Sequence, residues 1–375
     1  MYGYPQFGKA GIRMKRIRWF LLMTMVLLVA ITNASAIHME SNGNSWFLPD
    51  GRIVQTKKVF TGNGSEYPGL LCYNQNGELL WEHTFRTAAI GRSYCQLTDD
   101  DTIAFMYYDQ NHQYFIEYFN SNGEFVAKNT RELHTTDGML YENGAVFCEK
   151  LPEQKGYVLS IRHWNESGKR WQFQGAEKMK LYSVESHGNG VCIELNMQSS
   201  KKSAHSILFV DATDDIVRWE YRLDTDLLKA YAGNEQGGIT LFVQKDAPND
   251  QYKLEMITLD AYGNESLRAK VDGIPATIAI NVVSEQENGL YTIWGYGYDT
   301  YGENKVICAS LNAQGEVVER KDIPTHYATC VRYLNDEIYV MDYENGIESF
   351  RLIPFEELAN KQANRSRGKT APVCL

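Results

Sequence analysis

Tyr73-Asn74-Gln75-Asn76-Gly77-Glu78-Leu79-Leu80-Trp81 holds a turn and the start of a strand. An Asx side chain that opens a four-residue turn can bond its own backbone two residues on, and a closing Gly accepts the backbone angles such a turn needs. The same arrangement recurs at Asn120 to Gly123, Asn165 to Gly168, Asp211 to Asp214, Asp260 to Gly263 and Asn312 to Gly315. Working outward, a second marker interleaves with the first. It is an acidic or amide cluster, usually ending in Gly, placed just before an apolar β-branched run. Its copies are Asp50-Gly51, Asp99-Asp100-Asp101, Asn143-Gly144, Asn189-Gly190, Gly237-Gly238, Asn288-Gly289 and Asn335-Asp336, with last residues 43 to 51 apart. Each Asx turn opens 19 to 23 residues after the preceding cluster. Two series locked at a nearly constant offset mark an internal repeat.

Between the markers the chain reads as short strands rich in Val, Ile, Phe and Tyr, such as Thr102 to Tyr107, Tyr114 to Phe119, Gly190 to Asn196 and Ser206 to Asp211. A further strand follows each Asx turn, as in Glu78 to Phe85, and another precedes each cluster, as in Tyr94 to Leu97, Met139 to Tyr141 and Leu181 to Val184. Four antiparallel strands in about 47 residues is the size of a propeller blade. The expected fold is all-β, a seven-bladed β-propeller spanning 37–358. The seventh unit lacks a convincing outer strand after residue 358. Ile37, Met39 and Ser41, which alternate with His38 and Glu40, are expected to supply it and so close the ring, in preference to a last blade made wholly from residues 330–357.

The composition agrees. Among 375 residues, 43% hydrophobic and 22% charged exclude a mainly disordered, collagenous or polytopic membrane chain, and 24 Tyr, 15 Phe and 7 Trp favour strands. Residues 1–36 read as a signal peptide. Lys9, Arg13, Lys15, Arg16 and Arg18 precede a 13-residue apolar run, Trp19 to Ile31, and Ala34-Ser35-Ala36 offers a cleavage site. The run is shorter than the roughly 20 residues of a spanning helix, so cleavage after Ala36 and a secreted or extracytoplasmic chain without a stable membrane span are expected. The formal net charge is −10. Residues 1–36 contribute +5 and the basic tail 359–375, expected to be disordered, contributes +4, so 37–358 carries −19. That surface repels phosphate backbones and argues against a nucleic-acid partner.

At this point the chain resembles the β-propellers with PQQ-like or WD-like repeats over nearly all of 44–357. The resemblance rests on apolar-Asn-x-x-Gly-x-x-x-Trp at Tyr73 to Trp81 and looser copies ending in Trp171 and Trp219. Blades two, five and six have no Trp there, and no Trp-Asp dipeptide of the WD kind is present. The resemblance implies fold and leaves activity open. The tryptophans are expected to pack between neighbouring blades.

No catalytic motif stands out. Cys72, Cys95, Cys148, Cys192, Cys308 and Cys330 fall in expected strands as small buried hydrophobes, Cys374 lies in the tail, and no Cys-x-x-Cys occurs. The eight histidines show no zinc spacing, and the Asp clusters lack a calcium-loop pattern. Neither metal nor cofactor is expected. Sequons stand at Asn63, Asn165, Asn264 and Asn364.

Two functions remain. The favoured one is a secreted, monomeric, non-catalytic module binding a protein, peptide or glycan; the alternative is an extracytoplasmic propeller enzyme of the quinoprotein dehydrogenase, lyase or lactonase type with a central pocket. The binding face is expected on the loops joining second and third strands, where blade two offers Tyr107, Tyr108, Asp109, Asn111 and His112 and blade six offers Tyr296, Tyr298, Asp299, Tyr301 and Asn304. Tyrosines give a large contact area and a hydroxyl while losing little side-chain entropy. Tyr108, His112, Tyr298, Asp299 and Tyr301 are the candidate ligand-binding residues, with Tyr107 and Tyr296 as ready to pack inward as to project.

Overall fold

In a computed structural model of the chain, the Asx turns repeat one device. The Asn74 carboxamide oxygen accepts the Asn76 and Glu78 amides at 2.9 and 3.0 Å while its Nδ2 donates to Glu78 at 2.7 Å. Asn120 with Glu124 and Asn312 with Glu316 do the same. Blade five swaps the partners: Asp260 accepts both amides and Asn264 donates back to it at 3.1 Å. Either order leaves one donor facing one acceptor, which is why Asn or Asp can open the turn. Gly77, Gly123, Gly263 and Gly315 close these turns with φ of 76 to 79°.

The structure describes residues 37–358 except 41–43, 61–65, 86–89, 99, 110–112, 131–134, 152–155, 165–167, 175, 189, 200–202, 225–226, 234–236, 248–250, 287–288, 299–302, 335–336 and 344–348. The signal-peptide and tail expectations, on 1–36 and 359–375, lie outside the described residues. The strands form seven four-stranded antiparallel sheets, the seven blades of a β-propeller. The inner strands, in blade order, are Ser45–Phe47, Ile90–Leu97, Thr135–Tyr141, Lys178–His187, Leu227–Gly233, Ala279–Glu285 and Ala328–Leu334. The outermost strand of blade seven is Ile37–Glu40, paired antiparallel with Ser349–Pro354 so that Ile37 faces Leu352 and Glu40 faces Ser349. The ring therefore closes with the N-terminal strand, and four residues, Phe355 to Leu358, follow as a single helical turn. No helix of the described residues is long and apolar enough to cross a membrane.

The apolar core is divided among the blade interfaces. Each of seven buried clusters joins two successive blades, for example Val54, Cys72, Trp81 and Phe85 with Ile103, Phe105 and Phe119 between blades one and two. Trp81 stacks on Phe119, with ring centroids 6.0 Å apart, and Trp219 packs in the cluster between blades four and five. The expected role of these tryptophans is thus observed. The described cysteines are free, and all but the half-buried Cys308 are buried.

The inner strands run longer than their sequence suggests: Ile90–Leu97 where Tyr94 to Leu97 is expected, and Lys178–His187 where Leu181 to Val184 is. The reason is a β-bulge in six of the seven, at Ile90/Ser93, Thr135/Asp137, Leu181/Ser183, Leu228/Ala230, Ile280/Val282 and Ala328/Cys330. One extra residue reverses the in–out alternation midway, so the period-2 signal on which a strand is recognised breaks.

Candidate functional site

The bulges decide what faces the axis. Registers pairing Leu228 with Val243 and Ala230 with Phe242 leave Lys229 unpaired, and those pairing Ile280 with Gly295 and Val282 with Trp294 leave Asn281 unpaired. An extra residue of this kind is re-aimed out of the pleat. Both line a cavity of about 380 Å³ between the inner strands of blades four to seven, together with Ser183, Glu185 and Glu194 of blade four, Tyr231 of blade five and Arg332 of blade seven.

The blade-four wall is a hydrogen-bonded acid cluster. Glu194 accepts from Ser183 Oγ at 2.8 Å and lies 2.6 Å from His205 Nε2. Glu185 is exposed to the channel yet crowded by the protein around it; that crowding, then the charge of Glu194, pushes its carboxyl up to about 7, and the nearby Tyr231 hydroxyl pulls the other way. Burial, then the charge of Glu185, pushes the Tyr231 phenol well above its usual range. Burial lowers the Lys229 ammonium.

A carboxyl raised in the folded state favours folding while it holds its proton, so its contribution declines as pH climbs from the ordinary glutamate value of 4.5 to about 7. Facing it are Glu194 and Cys192 on the second strand of blade four and Tyr231 and Lys229 on blade five. Glu185→Gln is expected to stabilise the protein at pH 8 relative to pH 5, read as the difference between urea midpoints at the two pH values. An identical pH difference in wild type and variant would contradict this.

The second-strand to third-strand hairpins and the starts of the inner strands lie at one end of the ring, since Ile90 pairs with Asp109 and Ala279 with Tyr296. At that end Tyr298 is 53% exposed and Tyr327 of blade seven 52% exposed. Burial raises the Tyr296 phenol, and Cys330, Arg332, Tyr327 and Tyr298 lie near enough to act on it. Tyr108 is half-buried with its ring 5.3 Å from Tyr114, which in turn lies within electrostatic reach of Tyr94, Arg92 and Asp137. Tyr107 is fully buried, donates to Glu117 at 2.7 Å and accepts from Lys128 at 3.0 Å, so it packs inward. Asn304 is buried too, its Oδ1 receiving Thr325 Oγ1 at 2.7 Å and the Ala328 amide at 3.2 Å, which occupies it in anchoring blade seven. His112, Asp299 and Tyr301, with Asn111, lie outside the described residues, as does the side chain of Asp109.

The channel residues escape a motif search because they come from four blades. One signal was present: a polar or aromatic residue, Arg92, Thr136, Tyr182, Lys229, Asn281 or Thr329, stands seven to nine residues before the last residue of each following cluster, at each bulge.

No protein-family model matches the chain, and no curated protein matches it in sequence. Among solved structures, the β-propeller domain of the Trilobed protease from Pyrococcus furiosus is similar at 9% identity and TM-score 0.51, over 84% of this chain and 93% of that one. An ulvan lyase, at 7% identity and TM-score 0.47, aligns over 84% of this chain and 81% of its own. A dihydro-haem d1 dehydrogenase, at 9% and 0.46, aligns over 85% and 78%. At such identities the likeness is one of architecture, and it agrees with the sheets themselves: the chain is a β-propeller.

Proposed function

We propose that the protein is an exported binding module of the PQQ-like or WD-like propeller kind, which takes a protein, peptide or glycan at the end of the ring where the hairpins and inner strands meet. One observation carries this reading: Tyr298 and Tyr327 at the rim and Arg332 in the channel each lie within electrostatic reach of Tyr296 between them, so aromatic surface leads to a polar cavity. Ligand sites are commonly concave, with a few convergent polar groups. Export rests on the reading of 1–36 as a signal peptide. The enzyme alternative is favoured by the Glu185 carboxyl, raised beside Glu194 as paired acids in catalytic sites often are.

A glycan and peptide array probed with wild type and with Tyr298→Ala/Tyr301→Ala tests the binding reading. The double variant is expected to lose most of the signals that the wild type gives. If it keeps every one, this face is not the site.

A further inference from the structure

Three hydrogen-bond donors converge on the channel from three successive blades. Asn281 Oδ1 receives the Val331 backbone amide at 3.3 Å. A backbone N–H can only donate, so the oxygen is the atom held there and Nδ2 is left for the channel. Arg332 makes no ion pair among the described residues; its guanidinium lies 5.7 Å from the Phe47 ring. Other described arginines, among them Arg52, Arg92, Arg218 and Arg268, do hold carboxylates. Lys229 likewise has no carboxylate partner among the described residues, although burial already weakens its ammonium. A partly dehydrated cation with no counter-charge is unfavourable on its own. In a body carrying −19, carboxylates to pair with it are plentiful, and Glu185 and Glu194 line the same cavity, yet among the described residues none forms an ion pair with Lys229 or Arg332.

The opposite wall has the reverse character. Ser183, Glu185 and Glu194 are oxygen groups, and Glu194 is already engaged by Ser183 and His205. A ligand filling the space meets cationic and amide donors on one side and carboxyl and hydroxyl groups on the other. A dianionic phosphoryl group would stand across the channel from two carboxyls, whereas a single carboxylate matches the two cations with less opposition.

We propose that the channel binds a sugar acid, its carboxylate held by Lys229, Asn281 and Arg332 and its hydroxyls by Ser183 and Glu185. The inference rests on the reading of the propeller as a glycan-binding module and narrows it to uronate-bearing ligands. Lys229 and Asn281 owe their places to the bulges, so the site is written into two inner strands in the same way. The cavity of about 380 Å³ lies at the small end of the range for ligand sites, suited to one or two sugar units.

Titration calorimetry of the full chain, with glucuronate, galacturonate and their dimers, glucose, and glucose 6-phosphate as probes, tests it. A uronate probe is expected to bind at least tenfold more tightly than glucose and than glucose 6-phosphate. Lys229→Met and Arg332→Gln should each weaken it about tenfold or more, while Lys229→Arg, which keeps the charge, retains it. Circular dichroism and an unchanged melting midpoint confirm that a weakened variant is folded; if a neutral variant does not fold, retention in Lys229→Arg and competition by added acetate against the uronate decide the matter. Glucose binding as tightly as the uronates, or binding unaffected by the neutral variants, overturns the sugar-acid assignment while leaving a glycan-binding propeller intact. Tightest binding of the phosphate ester also overturns it. Absence of binding by every probe overturns the assignment; the array separately decides whether the module binds any glycan or peptide.

Discussion

Gly123→Ala and Gly263→Ala are each expected to destabilise the propeller by about 3 kcal/mol, combining left-handed backbone strain with overpacking. Gly123 has φ of 79°, and a Cβ there would stand 2.5 Å from the Trp81 ring; Gly263 has φ of 78°, with its Cβ 2.5 Å from Trp219. Both glycines close an Asx turn of one blade against the tryptophan of the blade before it. The two strains separate in a double-mutant cycle. Trp81→Ala alone, removing a nearly buried indole stacked on Phe119, should cost about 3–5 kcal/mol. In Trp81→Ala/Gly123→Ala the clash disappears and only the backbone term stays, so the double variant should be more stable than the sum of the singles predicts. Trp81→Phe should be the mildest change, because the Trp81 Nε1 proton is buried without an acceptor among the described residues and phenylalanine removes that unmet donor. Urea midpoints of the five variants check this. Additive effects at Trp81 and Gly123 would mean that the two do not meet.

That contact also explains why the fold was legible. The Asx turn is local chemistry, and Gly123, Gly263 and Gly315 serve twice, once for their own backbone and once against the preceding blade, so sequence spacing and three-dimensional packing carry the same period there. Closure by Ile37–Glu40 was legible for a related reason: a seventh unit short of one strand and an alternating segment at the other end of the domain complement each other. The inner strands were only half visible, since a bulge in each of six reverses the alternation that betrays a strand. The channel left only a faint trace, the polar or aromatic residue spaced ahead of each cluster. Glu185, Lys229, Asn281 and Arg332 sit one to a blade and become neighbours only when the ring is formed. The hairpin tyrosines show the limit from the other side. Tyr107 and Tyr298 both follow strand residues near a turn, yet one is buried against Glu117 and Lys128 and the other is exposed, because a single step along a strand changes the face.

A chain beginning at residue 44 is expected to lose more stability than any surface substitution and to self-associate. It lacks Ile37–Glu40, whose partners Ser349 to Leu352 then present an unpaired outer edge. Each ladder hydrogen bond lost is worth about 1 kcal/mol net, and an open edge is a template for pairing with another chain. The seam between blades seven and one is poorly placed to compensate. Among the described residues its cluster has four buried members, Ile53, Cys330, Met341 and Leu352, against sixteen between blades three and four. Leu352, a member of that cluster, is also the ladder partner of Ile37, so the edge strand pairs with the strand that contributes to the thin interface. A closed ring shares strain around all seven interfaces, and opening it at the thinnest one lets that interface fray first. The truncated chain should melt at a markedly lower temperature than the chain beginning at Ile37, and its apparent mass in sedimentation should rise with concentration. A peptide of residues 37–43 added in trans should restore part of the midpoint and suppress the association, whereas a scrambled peptide should do neither. If the truncated chain melts with the longer one and sediments as a monomer at every concentration, the ring is held by its blade interfaces alone and the N-terminal strand is an ornament to it.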